Sequence, residues 1–502
     1  MSGFRRHFIY KLATNFLRIP VSFVLQAIFP RLLGPAAYGN YDFLVDNSNK
    51  IIGFFDNGVS TAFYTKLSHK PDDTRLVRFF AWIVFFISAL YFTLIFSSFF
   101  GDFYSFIWPN QEYSNILLSA VLGVVTFASN GVHKMIDAYE LTVKGEWNRM
   151  IQLVISVLVF YGAYQVFETL NLNYFFYIQI ALTGMLIVGS AIVLRSNYHR
   201  IIPKEKLSRD DIRSYTHSFW HFSHPLIVYS FMGLFVGIGE RWLLQLFGGS
   251  IQQGFFGLSY KVGAFVFLFT SAVMPLLTRE FAKLFGDRNI DGLRNLYFKN
   301  LKILYVLAVF MAVFSALNAD FIISMLAGKG YEGAGMLVAL MAFYPIHQTL
   351  GQLNGTLFYA TSRTREYRNI GIVFMPLSLV LCFFFIAPVE YFGLGLGAQG
   401  LVYEMLIIQV FVINIQLISN MKFFNSNYWE LLWFQLLIVG SFLGIGLLEK
   451  RLIGLFVEDL FMTGVIFFML FAISVSIIIL LMPKLIGLNN KSELYSLILR
   501  RG

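Results

Sequence analysis

The sequence predicts an all-α polytopic membrane protein with about fourteen transmembrane helices. Composition is the first reason: of 502 residues, 57% are hydrophobic, only 13% are charged, and 57 are Phe. Soluble domains carry roughly 25% charged residues, so about half of the usual solvating charge is missing. Together with a mean hydropathy of +0.67, this excludes a disordered chain, a fibrous repeat and an ordinary soluble enzyme. The second reason is the recurrence of long stretches without Asp, Glu, Lys or Arg, among them 79–101, 214–239, 333–362 and 460–483. Most reach the roughly 20 residues that cross about 30 Å of hydrocarbon at about 1.5 Å per residue. The third is the placement of basic residues at alternate ends of these stretches.

In chain order the spans are expected at 11–33, 41–66, 77–100, 114–138, 149–168, 173–195, 217–247, 253–280, 297–317, 333–360, 369–388, 397–420, 430–449 and 459–482. The first two are interrupted by charge along their length. Arg5, Arg6, His7 and Lys11 precede the first span, and no small-residue cleavage site follows it, so it reads as a retained helix rather than a signal peptide. With the N-terminus inside, 31 of the 38 Lys and Arg fall in inner segments, and only Arg31, Lys329, Lys450 and Arg451 fall outside. This positive-inside bias places both ends in the cytoplasm. It also accounts for most of the net charge of +10, which therefore does not point to nucleic acid. The single Cys382 forms no intrachain disulfide and rules out thiolate metal sites. Nothing in the sequence calls for a cofactor.

The longest loop, 196–216, is expected inside, as a cytoplasmic linker between an N-terminal lobe (1–195, spans 1–6) and a C-terminal lobe (217–420, spans 7–12). Spans 13 and 14 and a cytoplasmic tail occupy 421–502. A short repeat supports this division: Gly34-x4-Gly39-x-Tyr41 follows span 1, and Gly249-x4-Gly254-x-Phe256 follows span 7. Two such loops in equivalent hairpins are expected of parallel transporter repeats.

Span 2 holds the most informative pattern. Asp42, Asp46, Asn49, Gly53, Asp56 and Ser60 recur at helical spacing, one polar stripe about 27 Å long on an unbroken helix, with Lys50 beside it. Each charge at the bilayer centre costs at least about 2.5–3.5 kcal/mol, so the stripe is expected to line water rather than face lipid. An Asp46–Lys50 ion pair at i,i+4 is the plainer reading for those two residues. Span 1 carries a thinner stripe of Asn15, Arg18, Ser22 and Gln26, in which Arg18 either joins the cavity or snorkels to headgroups. Span 7 contributes Glu240 and Arg241, and span 8 contributes Lys261. The candidate cavity cations are thus Arg18, Lys50, Arg241 and Lys261, and Asp46, Glu240 and Glu404 are candidates for ion coupling. His217, His221 and His224 form a further stripe at the inner interface, more in keeping with packing than with a metal. No nucleophile elbow, phosphate loop or His-Glu-x-x-His is present.

The segment Arg31-Leu32-Leu33-Gly34-Pro35-Ala36-Ala37-Tyr38-Gly39-Asn40-Tyr41, continuing through Phe55-Asp56-Asn57-Gly58, resembles the first hairpin of the polysaccharide flippases of the MOP exporter superfamily. Glu240-Arg241, Gly249, and Tyr260-Lys261-Val262-Gly263 look like that family's second-half counterpart, and Ala327 to Ala334 is similar to its loop before span 10. The resemblance implies two six-helix lobes around a central cavity, with two peripheral C-terminal helices. It implies as substrate an undecaprenyl-diphosphate-linked oligosaccharide repeat unit, moved from the inner to the outer leaflet of a bacterial cytoplasmic membrane. The polymerase and glycosyltransferases of surface polysaccharide assembly are candidate partners. Rival readings are a MATE-type exporter or lipid II flippase on the same fold, and a membrane-embedded polyprenol-dependent glycosyltransferase or polymerase. The short loops speak against the last.

Overall fold

The computed structural model describes residues 2–197, 207–224, 227–328 and 330–488. Among them there is no strand. The helices are α1 (Ser2–Asp56), α2 (Val59–His69), α3 (Thr74–Phe99), α4 (Phe103–Ile107), α5 (Tyr113–Ala138), α6 (Thr142–Val166), α7 (Leu172–Asn197), α8 (Arg209–Ser223), α9 (Ile227–Gly286), α10 (Ile290–Leu317), α11 (Ala319–Leu326), α12 (Gly335–Met341), α13 (Tyr344–Ala360), α14 (Thr364–Ile386), α15 (Gly397–Phe423), α16 (Tyr428–Ile453) and α17 (Leu460–Leu481). Among the described residues, 11 helices are long and apolar enough to cross a membrane. The protein is a multi-pass, all-α membrane protein.

The chain divides into two compact units, 1–254 and 255–502. In the first, Phe29, Phe160, Phe175 and Tyr41 meet in edge-on and tilted contacts with ring centroids about 4.9–6.2 Å apart. These rings pin α1 to α6 and α7. A second cluster, including Phe63, Leu67, Phe80, Ile136 and Phe219, joins α2, α3, α5 and α8. In the second unit, α10 runs through an extensive core, in which Tyr297, Leu301, Val309 and Val313 pack with Leu353, Leu417, Phe467 and Phe471. There the last helix, α17, is held by stacked Phe467, Phe471 and Phe310.

Two of the long helices are broken at the repeated glycines. Gly34 has φ 72 and ψ 170, and Gly249 has φ 72 and ψ −176. This region is essentially closed to residues with a Cβ, so the same break recurs where the same motif does. Pro35 cannot donate, and the helix no longer continues past Gly34. The carbonyl of Leu32 instead accepts from the Leu170 N–H at 2.8 Å.

The two motifs then pack on one another inside the first unit. A Cβ at Gly39 would lie 1.9 Å from the Ser250 carbonyl oxygen, and one at Gly254 would lie 2.1 Å from that of Pro35. The contact is reciprocal: each repeat's second glycine faces the residue just after the other's first glycine.

Three expected boundaries move. Span 2 is interrupted, because α1 ends at Asp56 and α2 begins at Val59 after Asn57 (φ 34) and Gly58 (φ 85). Residues 217–223 belong to α8, an amphipathic helix that also takes up the end of the expected linker, and α9 starts only at Ile227. Span 10 is two helices, α12 and α13, with Pro345 in the first turn of α13.

Candidate functional site

The polar stripe of α1 meets the first half of α9 in a ladder of alternating charge. Arg241 donates through Nη2 to Asp42 Oδ2, and its Nε lies 3.9 Å from Asp46 Oδ2. The same Asp46 oxygen accepts from Lys50 Nζ at 2.6 Å, and Lys50 also donates to the Gly237 carbonyl at 2.8 Å. Gly237 permits that approach: a Cβ there would sit 3.2 Å from Lys50 Cε and 3.3 Å from Nζ. The Gly233-x3-Gly237 spacing, read in sequence as a helix-packing signal, therefore admits a charged side chain at its second glycine.

Two carboxylates and two cations leave the ladder without net charge, but its members are not equivalent. The Arg241 side chain is 6% exposed and that of Asp42 17%, whereas Lys50 is 33% and Asp46 36% exposed. The inner pair ties α1 to α9, and the outer pair stands at an accessible edge beside the exposed Asn49 and Gly53. The opposite face of α1 is sealed. Ser48 accepts from Tyr91 Oη at 2.7 Å, Gly123 of α5 abuts Ser48 and Ile52, and Asn47 is 1% exposed.

Asp56 has another duty. Its Oδ1 accepts from Ser60 N at 3.0 Å and Ser60 Oγ at 2.6 Å, bridging the break at Asn57–Gly58. Ser60 itself is buried at 4%. Asn57 Oδ1 accepts from Ser230 of α9 at 2.8 Å. The stripe thus runs unbroken only from Asp42 to Gly53.

A second charged cluster, absent from the sequence reading, gathers around Glu146 at the start of α6. Its side chain is 3% exposed and faces Arg18 Nη1 at 3.4 Å, His133 Nε2 at 3.4 Å and Arg149 Nη1 at 4.0 Å. Asp137 lies 4.0 Å from His133. Arg18 is therefore paired within the protein. Gly145 allows the tight turn from α5, since a Cβ there would fall 2.6 Å from Ile136 Cγ2. His133-x3-Asp137 and Glu146-x2-Arg149, flanking a three-residue turn, read in the sequence as ordinary charges of an inner loop.

The remaining candidates are dispersed. Ser22 is half-buried and Gln26 exposed on α1, while the Asn15 side chain lies outside the described residues. Glu240 is half-buried beside Arg241, and Lys261 is half-buried on the part of α9 that belongs to the second unit. Glu404, 1% exposed on α15, accepts from Ser378 of α14 at 2.6 Å. His217 and His224 are exposed, and the His221 side chain lies outside the described residues. Among the described residues no group of three metal-ligating side chains occurs.

No family model matches the chain. The capsular polysaccharide biosynthesis protein CapF of Staphylococcus aureus is 20% identical over 397 residues, which cover 78% of this chain and 94% of that protein. The lipid II flippase MurJ, in an inward closed conformation, superposes with a TM-score of 0.62 at 14% identity, over 94% of this chain and 98% of its own. An inward-facing multidrug resistance MATE transporter of the MOP superfamily gives 0.59 at 12% identity, over 83% of this chain and 98% of its own. Identities this low speak for the fold. The chain has the fold of these MOP superfamily transporters, and its sequence is similar to that of a capsular polysaccharide biosynthesis protein.

Proposed function

We propose that this protein is a flippase for undecaprenyl-diphosphate-linked oligosaccharides, acting in surface polysaccharide assembly in a bacterial cytoplasmic membrane with both termini inside. The observation that carries the reading is the charged ladder Arg241–Asp42–Asp46–Lys50 within membrane-crossing helices. Moving a diphosphate across a bilayer requires its charge to be compensated away from bulk water. In this reading Lys50, on the accessible edge, exchanges its bond to Asp46 for a phosphate oxygen, while Arg241 stays with Asp42 and holds the helices in register. The likeness to CapF supports a glycan cargo over a drug. Arg18 and Lys261 remain candidate contacts for the headgroup, and Asn49, Gln26 and Ser22 for the sugar. The helix breaks at Gly34 and Gly249, each dividing a long helix into two segments, support a count of fourteen spans.

Asp46 is also a coupling candidate, with Glu240 and Glu404, because one proton on it removes the countercharge shared by Lys50 and Arg241.

The test is surface polysaccharide in a strain lacking the native copy, with membrane protein level followed in parallel. Lys50→Ala is expected to abolish export while the protein still inserts, and Lys50→Arg to retain part of it, since charge matters here more than fork geometry. Lys50→Ala strands Asp46, so Lys50→Ala with Asp46→Asn is the control. Normal surface glycan in the double variant would make the pair structural and end the proposal.

A further inference from the structure

We propose that the outward face of α8 is a binding surface for anionic lipid headgroups, holding this helix to the bilayer whatever cargo is carried. At about 100° per residue, Arg209, Trp220, Arg213, His224 and His217 fall within one arc of about 80°. All five are exposed, Trp220 at 60%. The Trp220 and His224 rings stack with centroids 5.9 Å apart. Asp210 is the acidic residue flanking this arc.

The opposite face is docked and sets the depth. Tyr215 Oη donates to both carboxylate oxygens of Asp73 at 2.9 and 2.8 Å, and Asp73 is the N-cap of α3. One turn further, the Phe219 ring lies 5.6 Å from that of Phe79, where the uncharged stretch of α3 begins. So α8 descends alongside α3 from its cap towards its apolar part, and α9 starts four residues after α8 ends. Trp220 is thereby at the level where the chain enters hydrocarbon, the depth at which indole rings are favoured. Arg213 lies seven residues earlier, about 10 Å up the axis, just beyond the outer edge of the roughly 5–8 Å headgroup layer and within reach of it through its long side chain.

An indole at the acyl boundary with guanidinium groups about two and three turns above it matches an anionic lipid surface in sign and in order of depth. Lys204 and Lys206 precede the helix in sequence and add to the charge. A helix that only linked α7 to α9 through water would have no use for an exposed Trp on its cationic side.

The test uses the full chain in nanodiscs with a nitroxide at Thr216→Cys, on the edge of the outward face. The native Cys382 is buried and does not compete for label. As phosphatidylglycerol replaces phosphatidylcholine, the label is expected to lose access to a water-soluble nickel chelate and gain access to oxygen. Arg209→Gln with Arg213→Gln should restore nickel access at every lipid composition, each arginine contributing about fivefold to attachment, whereas Arg→Lys at both positions should keep the protection. Unchanged thermal unfolding of the variants confirms that the docked face is intact. Equal nickel access in the two lipids, or protection that survives loss of both arginines, overturns the proposal.

Discussion

Gly39→Ala and Gly254→Ala probe the reciprocal contact between the two glycine motifs. The new methyl at 39 would stand 1.9 Å from the Ser250 oxygen and 2.6 Å from the Gly254 nitrogen, and the one at 254 would stand 2.1 Å from the Pro35 oxygen. All of these are backbone atoms, so no rotamer change relieves the overlap. Real Cβ contacts stay beyond 3.0 Å, which requires the two segments to part by at least about 1 Å. Overpacking of this kind costs about 1–3 kcal/mol. Once one methyl has parted the segments the second meets less resistance, so the double variant should cost less than the two singles together, with a coupling of about 0.5–3 kcal/mol. Thermal unfolding of the purified protein in detergent reads this directly. Gly162→Ala in α6 is the control: nothing lies within 4 Å of its added methyl, and Ala exceeds Gly in a helix by up to about 1 kcal/mol. If Gly39→Ala unfolds like Gly162→Ala, or if the two contact variants simply add, the segments do not meet as described.

Gly34→Ala and Gly249→Ala act by conformation alone, since neither added methyl has a neighbour within 4 Å; each is expected to cost about 1–3 kcal/mol, and wild-type unfolding would show that the break is not fixed. Glu146→Gln leaves Arg18 and Arg149 facing one another without their carboxylate and should cost about 3–5 kcal/mol, with Arg18→Gln partly restoring stability; an unaffected melting temperature refutes the buried cluster. The Asp211 carboxyl is held below the usual carboxylate range first by the Ser208 backbone N–H, then by the Ser208 side chain and Arg75. Its contribution to capping α8 is therefore complete above its unfolded pKa of about 4 and disappears as pH falls through the lower folded value. A fluorophore at Ser214→Cys should report no loosening of α8 at pH 5, and loosening there contradicts the cap. Cys at Ser208 is expected to react with an impermeant thiol reagent only in opened cells, and labelling in intact cells inverts the topology.

Much of this fold is written in the sequence because hydrocarbon permits few solutions. A helix satisfies its own backbone, so a long uncharged stretch signals helix, and α17 falls within a residue of its expected ends, although 214–239 and 333–362 each run across two helices. The breaks were harder to see. Gly34 and Gly249 were visible as a repeat, but the shared φ and ψ that make them breaks are a backbone property. Asp56-Asn57-Gly58 is a turn signature, yet the 4, 3 spacing that made span 2 conspicuous assumed an uninterrupted helix through it. Asp56 consequently looked like a lining residue and is a local bridge to Ser60. Pairing across helices was the least legible level. Nothing in the sequence distinguishes Glu146, sealed beneath Arg18 and His133, from a solvated loop charge, because its burial is conferred by α1 and α5 packing over it.

The two charged clusters of the first unit pose the same energetic question and give different answers. Apolar replacement of a buried ion pair is commonly neutral or stabilising, so stability alone explains neither cluster. Glu146 is nearly inaccessible, at 3%, and collects the side chains of Arg18 from α1, His133 from α5 and Arg149 from α6. That geometry sets which helices adjoin, and exchange with a ligand would require the helices to separate. The Asp46–Lys50 pair is about one-third exposed and both partners lie on a single helix one turn apart. It contributes only about 0.3–0.5 kcal/mol if it behaves as an ordinary i,i+4 pair, so an incoming anion displaces it at little cost. Under the proposed function a site needs charges that are costly to place in a membrane yet easy to exchange, and Lys50 is the cation of this ladder proposed to meet both conditions.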